Sequence, residues 1–388
     1  MITKIINGKI ILPDKVLENS SLYYEDGIIT AITDRELPFD RVIDADNNYI
    51  SPGFIDTHVH GGGGYDFSDG GTDAVIKAAE AHLKHGTTSI LPTTLACSYE
   101  TLIEILEDIE KVKKSGLSRC RIQGVHLEGP YFSLNQCGAQ NPEYIKAPHQ
   151  NEYMSIINRF GSMIKRWSFA PELDGSLEFC KALKENSICG SIGHSDATYE
   201  DVKKVYDLGC KTFTHLYSGM STITRNKGFR ILGVIECAYL FPDITAEIIA
   251  DGCHLPPELL MLIVKNIGAD NICLITDAMR AAGYDIKESY LGRKGEETPC
   301  IIENGVACTC DRSGFAGSIA TADRLVRTML QKANVSICDA VKMITLNPAK
   351  AIGLNNIGML KEGYTADILI FDANIDIKTI IVDGNEIY

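Results

Sequence analysis

The chain has 388 residues, 45% apolar and 23% charged, enough for a barrel-sized unit with a smaller one beside it. Its formal net charge is −14 and it has no run of Lys or Arg, which argues against nucleic acid as a partner. No apolar run approaches a membrane span, Met1–Gly8 lacks a signal-peptide apolar core, and the 13 scattered cysteines read as reduced thiols of a cytoplasmic protein.

Residues 1–51 alternate short β-rich runs with turn signals. Asn7-Gly8 and Asp26-Gly27 between such runs predict hairpins. From residue 52 the rhythm changes to short apolar runs separated by longer amphipathic ones. The predicted strands are Phe54–His60, Ser89–Pro92, Ile122–Glu128, Trp167–Ala170, Ile188–His194, Thr212–His215, Thr245–Ala250 and Ile272–Asp277. Between them the spacing predicts helices over Thr72–His85, Tyr99–Ser115, Gly175–Glu185, Tyr199–Leu208 and Pro257–Ile267, with Thr72, Ser98, Asp174 and Thr198 as caps. Two more follow, Ala322–Lys332 and Ser336–Leu346, ending before Asn347-Pro348. Strand alternating with helix eight times is the pattern of an α/β, TIM-type (β/α)8 barrel, here over 52–354. The β rhythm returns over 355–388, so residues 1–51 and 355–388 are expected to form a second, small β-sandwich domain built from both chain ends.

In such a barrel the chemistry sits at the C-terminal ends of the strands. The first ends on His58 and His60, whose spacing of two puts both imidazoles on one face. Gly61–Gly64 follow and let backbone approach that point closely. The third ends on Glu128, the fifth on His194, the sixth on His215 and the eighth on Asp277, and the seventh runs into His254. Each alone reads as a hydrogen-bonded structural residue or a helix cap. Together they take five of the nine histidines in the chain, and that coincidence points to a metal site. His58, His60, Glu128, His194 and His215 suffice for one or two divalent ions, with zinc, iron, manganese and cobalt all compatible. Asp277 is placed to take a proton from a metal-activated water and return it to a leaving group, or to serve as a further ligand. Cys308 and Cys310 are a weaker metal candidate because no second pair accompanies them.

These residues stand in runs that resemble the amidohydrolase superfamily, and within it the N-acetylglucosamine-6-phosphate deacetylases. The runs are Pro52-Gly53-Phe54-Ile55-Asp56 with His58 and His60, Gly124-Val125-His126-Leu127-Glu128-Gly129-Pro130-Tyr131, Gly193-His194-Ser195-Asp196-Ala197, Thr214-His215-Leu216-Tyr217, Asp251-Gly252 with His254, and Thr276-Asp277-Ala278-Met279. Ala316-Gly317-Ser318, Asn347-Pro348-Ala349-Lys350 and Gly363 with Ala366-Asp367 extend the match nearly end to end. The resemblance implies metal-dependent hydrolysis of an acetamide on an amino-sugar phosphate, with Glu128, His194 and His215 as the main metal site. His58 and His60 resemble the branch with a second metal. It also implies a homodimer and a small-molecule partner only.

Three places depart from the family pattern, all implied in sugar or phosphate recognition. Gln140 stands where a histidine is common, Ser218-Gly219 where Asn-Ala is common, and Thr224–Arg230 replaces a His-Arg-Glu-Pro-Gly run. Gln140, Ser218, Gly219, Arg225, Arg230 and His254 are the expected substrate-binding residues, and Arg225, Lys227 and Arg230 offer charge for a phosphate. A different N-acetylated sugar or sugar phosphate, such as N-acetylgalactosamine 6-phosphate, is the alternative substrate. A non-catalytic relative would have lost the ligands, and Gly61–Gly64 fits neither a dinucleotide nor a phosphate-loop pattern.

Overall fold

The computed structural model describes residues 1–296 and 298–388. Eight parallel strands run in sequence order around a barrel: Phe54–Val59, Thr87–Thr94, Arg121–Ile122 continued by Val125–Glu128, Ile164–Phe169, Cys189–Ile192, Thr212–Phe213, Thr245–Ile248 and Ile272–Leu274. A parallel bridge between Val59 and Ala278 joins the last strand to the first. Asp277 N donates to His58 O at 2.9 Å and His60 N to Ala278 O at 2.8 Å, so this seam fixes three of the candidate site residues against one another.

The strands form because their apolar residues are covered on the outer face by helices. Tyr99–Ser115 shows how. Leu102, Ile105, Leu106, Ile109 and Val112 repeat at helical spacing and are buried, each contributing about 1.5–3 kcal/mol of transfer energy. The Ser98 hydroxyl caps its first turn by accepting from Thr101 N at 3.1 Å, and Gly116 ends it in the left-handed region at φ 64°. The Thr198 side chain caps Tyr199–Asp207 in a capping box with Asp201. The other two expected caps are corrected. Gly71 and Gly175, at φ 82° and 84°, hold those positions in place of Thr72 and Asp174, because both turns need a backbone that glycine adopts without strain.

Both chain ends meet outside the barrel. Tyr49–Pro52 lies antiparallel to Ile368–Phe371 inside a six-stranded sheet, and a four-stranded sheet from residues 3–44 faces it. Ile5, Leu22, Ile29, Ile50, Ile368, Ile370 and Ile381 share the small core between them. The Asp26-Gly27 hairpin joins Ser21–Glu25 to Ile28–Thr33. The Asn7-Gly8 hairpin is corrected: Thr3–Ile6 belongs to one sheet and Lys9–Ile11 to the other, so this turn carries the chain between layers. The expected single helix over Ser336–Leu346 is also corrected. It breaks at Thr345 into Ile337–Ile344 and Leu346–Ala351, because Pro348 has no N–H to donate and is tolerated only in a first turn. Elements with no counterpart in the sequence reading include the helices Gln150–Phe160 and Val234–Leu240, the hairpin of Thr224–Asn226 with Phe229–Ile231, and one small sheet. Glu288–Leu291, Thr298–Glu303 and Val306–Thr309 form an antiparallel sheet over the C-terminal face of the barrel.

Candidate active site

His58, His60, Glu128, His194, His215 and Asp277 all converge at that face, each at least nine-tenths buried. Glu128 is the hub. Its Oε1 lies 2.9 Å from His215 Nε2, 3.1 Å from His194 Nε2 and 3.4 Å from His58 Nε2, and its Oε2 lies 3.3 Å from His60 Nε2. Asp277 Oδ1 closes the other side at 3.2 Å from His60 Nε2 and 3.6 Å from His58 Nε2.

The backbone is bent to achieve this. His194, His215 and Asp277 have φ of 48°, 28° and 46°, the left-handed region that non-glycine residues occupy at a cost of about 1–3 kcal/mol each. Three such residues at three successive site positions indicate that the surrounding fold maintains this geometry at the expense of stability.

Every imidazole presents Nε2 inward, and three of the four have Nδ1 held from behind. His60 Nδ1 faces Thr93 O at 3.3 Å, His194 Nδ1 faces Gln136 O at 2.7 Å, and His58 Nδ1 faces Glu247 Oε2 at 3.4 Å. A ring held at one nitrogen and open at the other is the arrangement of a metal-ligating histidine. His194 Nε2 and His215 Nε2 are 3.1 Å apart, and His58 Nε2 is buried with no hydrogen-bond partner. The electrostatics agree. Burial opposes charge on His60, yet its contacts with Asp277 and Glu128 raise its pKa to about 9. Burial likewise favours neutral Glu128 and Asp277, but the neighbouring imidazoles hold both below their usual range. Two ionised carboxylates among inward-facing imidazole nitrogens, out of water, fit a divalent cation. The triads His58–His60–Asp277 and His58–Glu128–His215 each bring three donor atoms within 4.8 Å of one another.

The cluster floors a cavity of about 450 Å³, whose walls include Gln140, Tyr217, Ser218, Gly219, His254 and Phe315. His254 is oriented by Asp251, whose Oδ2 lies 2.8 Å from Nδ1. Gln140 borders the cavity, but both ends of its amide are engaged: Nε2 donates to Glu128 Oε2 at 2.8 Å and Oε1 accepts from Ala96 N at 2.8 Å. Arg225 and Arg230 stand elsewhere, paired across an exposed hairpin, Thr224–Asn226 with Phe229–Ile231, outside the cavity walls.

The sequence reading missed the supports. Asp196 accepts from Ser133, Asn135 and Gln136 side chains at 3.0, 2.9 and 2.6 Å, which anchors the loop whose Gln136 carbonyl holds His194. Glu172 in turn accepts from Ser195 Oγ at 2.7 Å and Asp196 N at 2.6 Å. Asp196 stood in a quoted run, but nothing in its spacing told this role from a helix cap.

A sequence model of the Amidohydrolase family matches residues 49–387. The chain belongs to the amidohydrolase family. It is 33% identical over 346 residues to N-acetylglucosamine-6-phosphate deacetylase of Lysinibacillus sphaericus, covering 88% of this chain and 86% of that one. It is 31% identical over 369 residues to N-acetylgalactosamine-6-phosphate deacetylase of Escherichia coli O157:H7, covering 95% and 94%. Among solved structures it resembles N-acetylglucosamine-6-phosphate deacetylase of Pasteurella multocida, with a TM-score of 0.91, 26% identity and full coverage of both chains. A mutant of the Mycobacterium smegmatis enzyme of the same name, in complex with N-acetyl-D-glucosamine-6-phosphate, gives 0.90 at 27% identity, covering 100% of this chain and 98% of that one. For an amidohydrolase, the buried His/Glu/Asp cluster is the expected seat of amide hydrolysis.

Proposed function

We propose that this amidohydrolase removes the N-acetyl group of N-acetylglucosamine 6-phosphate, giving glucosamine 6-phosphate and acetate. The observation that carries the reading is the buried convergence of four imidazoles and two carboxylates on the floor of one open cavity. His58, His60, Glu128, His194 and His215 would hold one or two divalent ions. Such a metal would acidify a bound water to near neutral pKa and polarise the acetyl carbonyl.

The chain's own residues do the remainder. Asp277, kept ionised, accepts a proton from the attacking water. The water oxygen bonds to the carbonyl carbon, the C–N bond breaks, and Asp277 delivers the proton to the departing nitrogen. Imidazoles fixed at Nδ1 keep the cluster rigid while charge develops on the carbonyl oxygen. His254 and Ser218 supply polar contacts for the sugar. Gln140 acts on Glu128 as well as lining the cavity.

The assembly and setting belong to the same proposal. Phe229 is 78% exposed and Met261, Leu262 and Leu240 are about half exposed, apolar surface that supports a homodimer. The thirteen cysteines are all unpaired, which supports a reducing, cytoplasmic setting, and among the described residues no helix is long and apolar enough to cross a membrane.

Steady-state deacetylation on metal-assayed protein tests the reading. N-acetylglucosamine 6-phosphate should be preferred over its unphosphorylated form and over N-acetylgalactosamine 6-phosphate. Preference for the galactosamine compound would keep the chemistry and change the substrate, an outcome the similarity to the Escherichia coli relative makes worth measuring.

A further inference from the structure

Behind the imidazole cluster, inside the barrel, lie two opposite charges with no exposed surface. Arg166 comes from the fourth strand and Glu247 from the seventh, and Arg166 Nη1 pairs with Glu247 Oε1. Desolvating such a pair costs several kcal/mol per ion, and apolar residues of similar volume often fill such a space as well or better. Stability alone therefore gives a weak reason for its presence.

Its contacts give a better one. Glu247 Oε2 faces His58 Nδ1 at 3.4 Å, and Arg166 Nη1 donates to Thr57 Oγ1 at 3.2 Å. The pair thus grips the first strand at the residue before His58 and at the His58 ring. The far nitrogen, His58 Nε2, is buried without a hydrogen-bond partner and is aimed between Glu128 and Asp277. A carboxylate behind Nδ1 keeps the proton there, leaves the Nε2 lone pair free, and raises its basicity. His60 and His194 have neutral carbonyls in the corresponding place, and His215 Nδ1 has no partner. His58 is the ring with a carboxylate behind it.

We infer that Glu247, itself held by Arg166, is a positioning residue that makes His58 a metal ligand and so allows the His58–His60–Asp277 position to fill. Glu247 does not touch the substrate. The inference rests on the reading of the cluster as a metal site.

The test is metal stoichiometry and affinity of the purified full chain, measured by elemental analysis after dialysis against buffered free zinc. Removing Glu247 alone would strand the Arg166 charge, so the variant is Arg166→Met with Glu247→Leu. It should remain folded by circular dichroism and bind one of its ions about 10–100-fold more weakly. Arg166→Met with Glu247→Gln, whose side-chain carbonyl can still accept from Nδ1–H, should recover most of that loss. Equal zinc affinity in the Met/Leu variant overturns the inference and leaves the metal site standing. Saturation of the wild type at a single ion also overturns it. A wild-type chain that binds no metal sinks the underlying reading as well. A second measurement needs no variant: histidine 15N resonances of the zinc-loaded wild type should show His58 protonated at Nδ1, and protonation at Nε2 would refute the idea.

Discussion

Asp277 is asked to be a base in a place where burial favours its neutral acid. The neighbouring His58 and His60 imidazoles outweigh that burial and keep its pKa below the ordinary carboxylate range. Asp277→Asn keeps the size and removes the proton acceptor. Its kcat should fall by about 10²–10⁴ while the zinc content of the zinc-loaded protein is retained. A comparable loss of zinc would instead make Asp277 chiefly a ligand. Gln140 raises the converse question, since it borders the cavity yet spends its donor on Glu128. Gln140→Leu removes that donor and leaves the Ala96 N–H without its acceptor. Metal affinity should drop about 10–100-fold, with kcat following and KM for the sugar changing less. A change confined to KM would return Gln140 to a purely substrate-binding role.

At the scale of elements, the turn after the first barrel strand depends on a buried histidine from the first barrel helix. His82 Nε2 donates to Gly61 O at 2.8 Å, and a Cβ on Gly62 would stand 2.7 Å from the same nitrogen. Burial holds the His82 pKa near 4, against 6.5 for an unperturbed imidazole. Between those values the unfolded chain binds the extra proton. The contribution of neutral His82 is therefore complete above about pH 6.5 and is lost as pH falls toward 4, on the order of 3 kcal/mol in all. His82→Gln can keep the donor and cannot titrate, so its urea midpoint should fall less steeply from pH 6.5 to 4.5 than that of the wild type. Parallel curves would show that His82 does not contribute. The residues that the barrel exposes at strand ends were legible because chemistry restricts them to a few types: two histidines two apart, then Glu128, His194, His215 and Asp277. The strands and helices were legible from hydrophobic period. Less legible were features set by distant contacts. The Asn7-Gly8 turn has the composition of a hairpin, yet sheet packing sends its two arms to different layers. Glu247 is the one charged residue of the expected strand Thr245–Ala250, and only the fold places it behind His58.

At the scale of the molecule, the sandwich and the barrel are tied at Asp367, from one of the quoted runs near the C-terminus. Its carboxylate receives the Arg121 guanidinium as a fork, at 3.0 and 3.1 Å, and Asp383 N at 2.9 Å. Its carbonyl accepts from Gly53 N at 2.9 Å, immediately before the first barrel strand. One residue thus joins the C-terminal sheet, the entry to the barrel and the start of its third strand. Asp367 is 4% exposed but Arg121 is 29% exposed, so water can solvate a freed guanidinium in part and the full penalty of a broken buried pair does not apply. Asp367→Ala should therefore cost about 1–3 kcal/mol, read as a lower urea midpoint, with kcat and zinc content of the folded fraction unchanged. Arg121→Met should cost at least as much, because it strands the buried Asp367 carboxylate with Asp383 N as a remaining donor. The order of the two variants decides what Asp367 does: Arg121→Met matching or exceeding Asp367→Ala would mean that the ion pair carries the junction, and a smaller effect would mean that the Asp383 backbone donor sustains the carboxylate without it. A fall in zinc content in either would mean that the junction also sets the strand register bearing His58 and His60, which lie 5 and 7 residues beyond Gly53 in the same run.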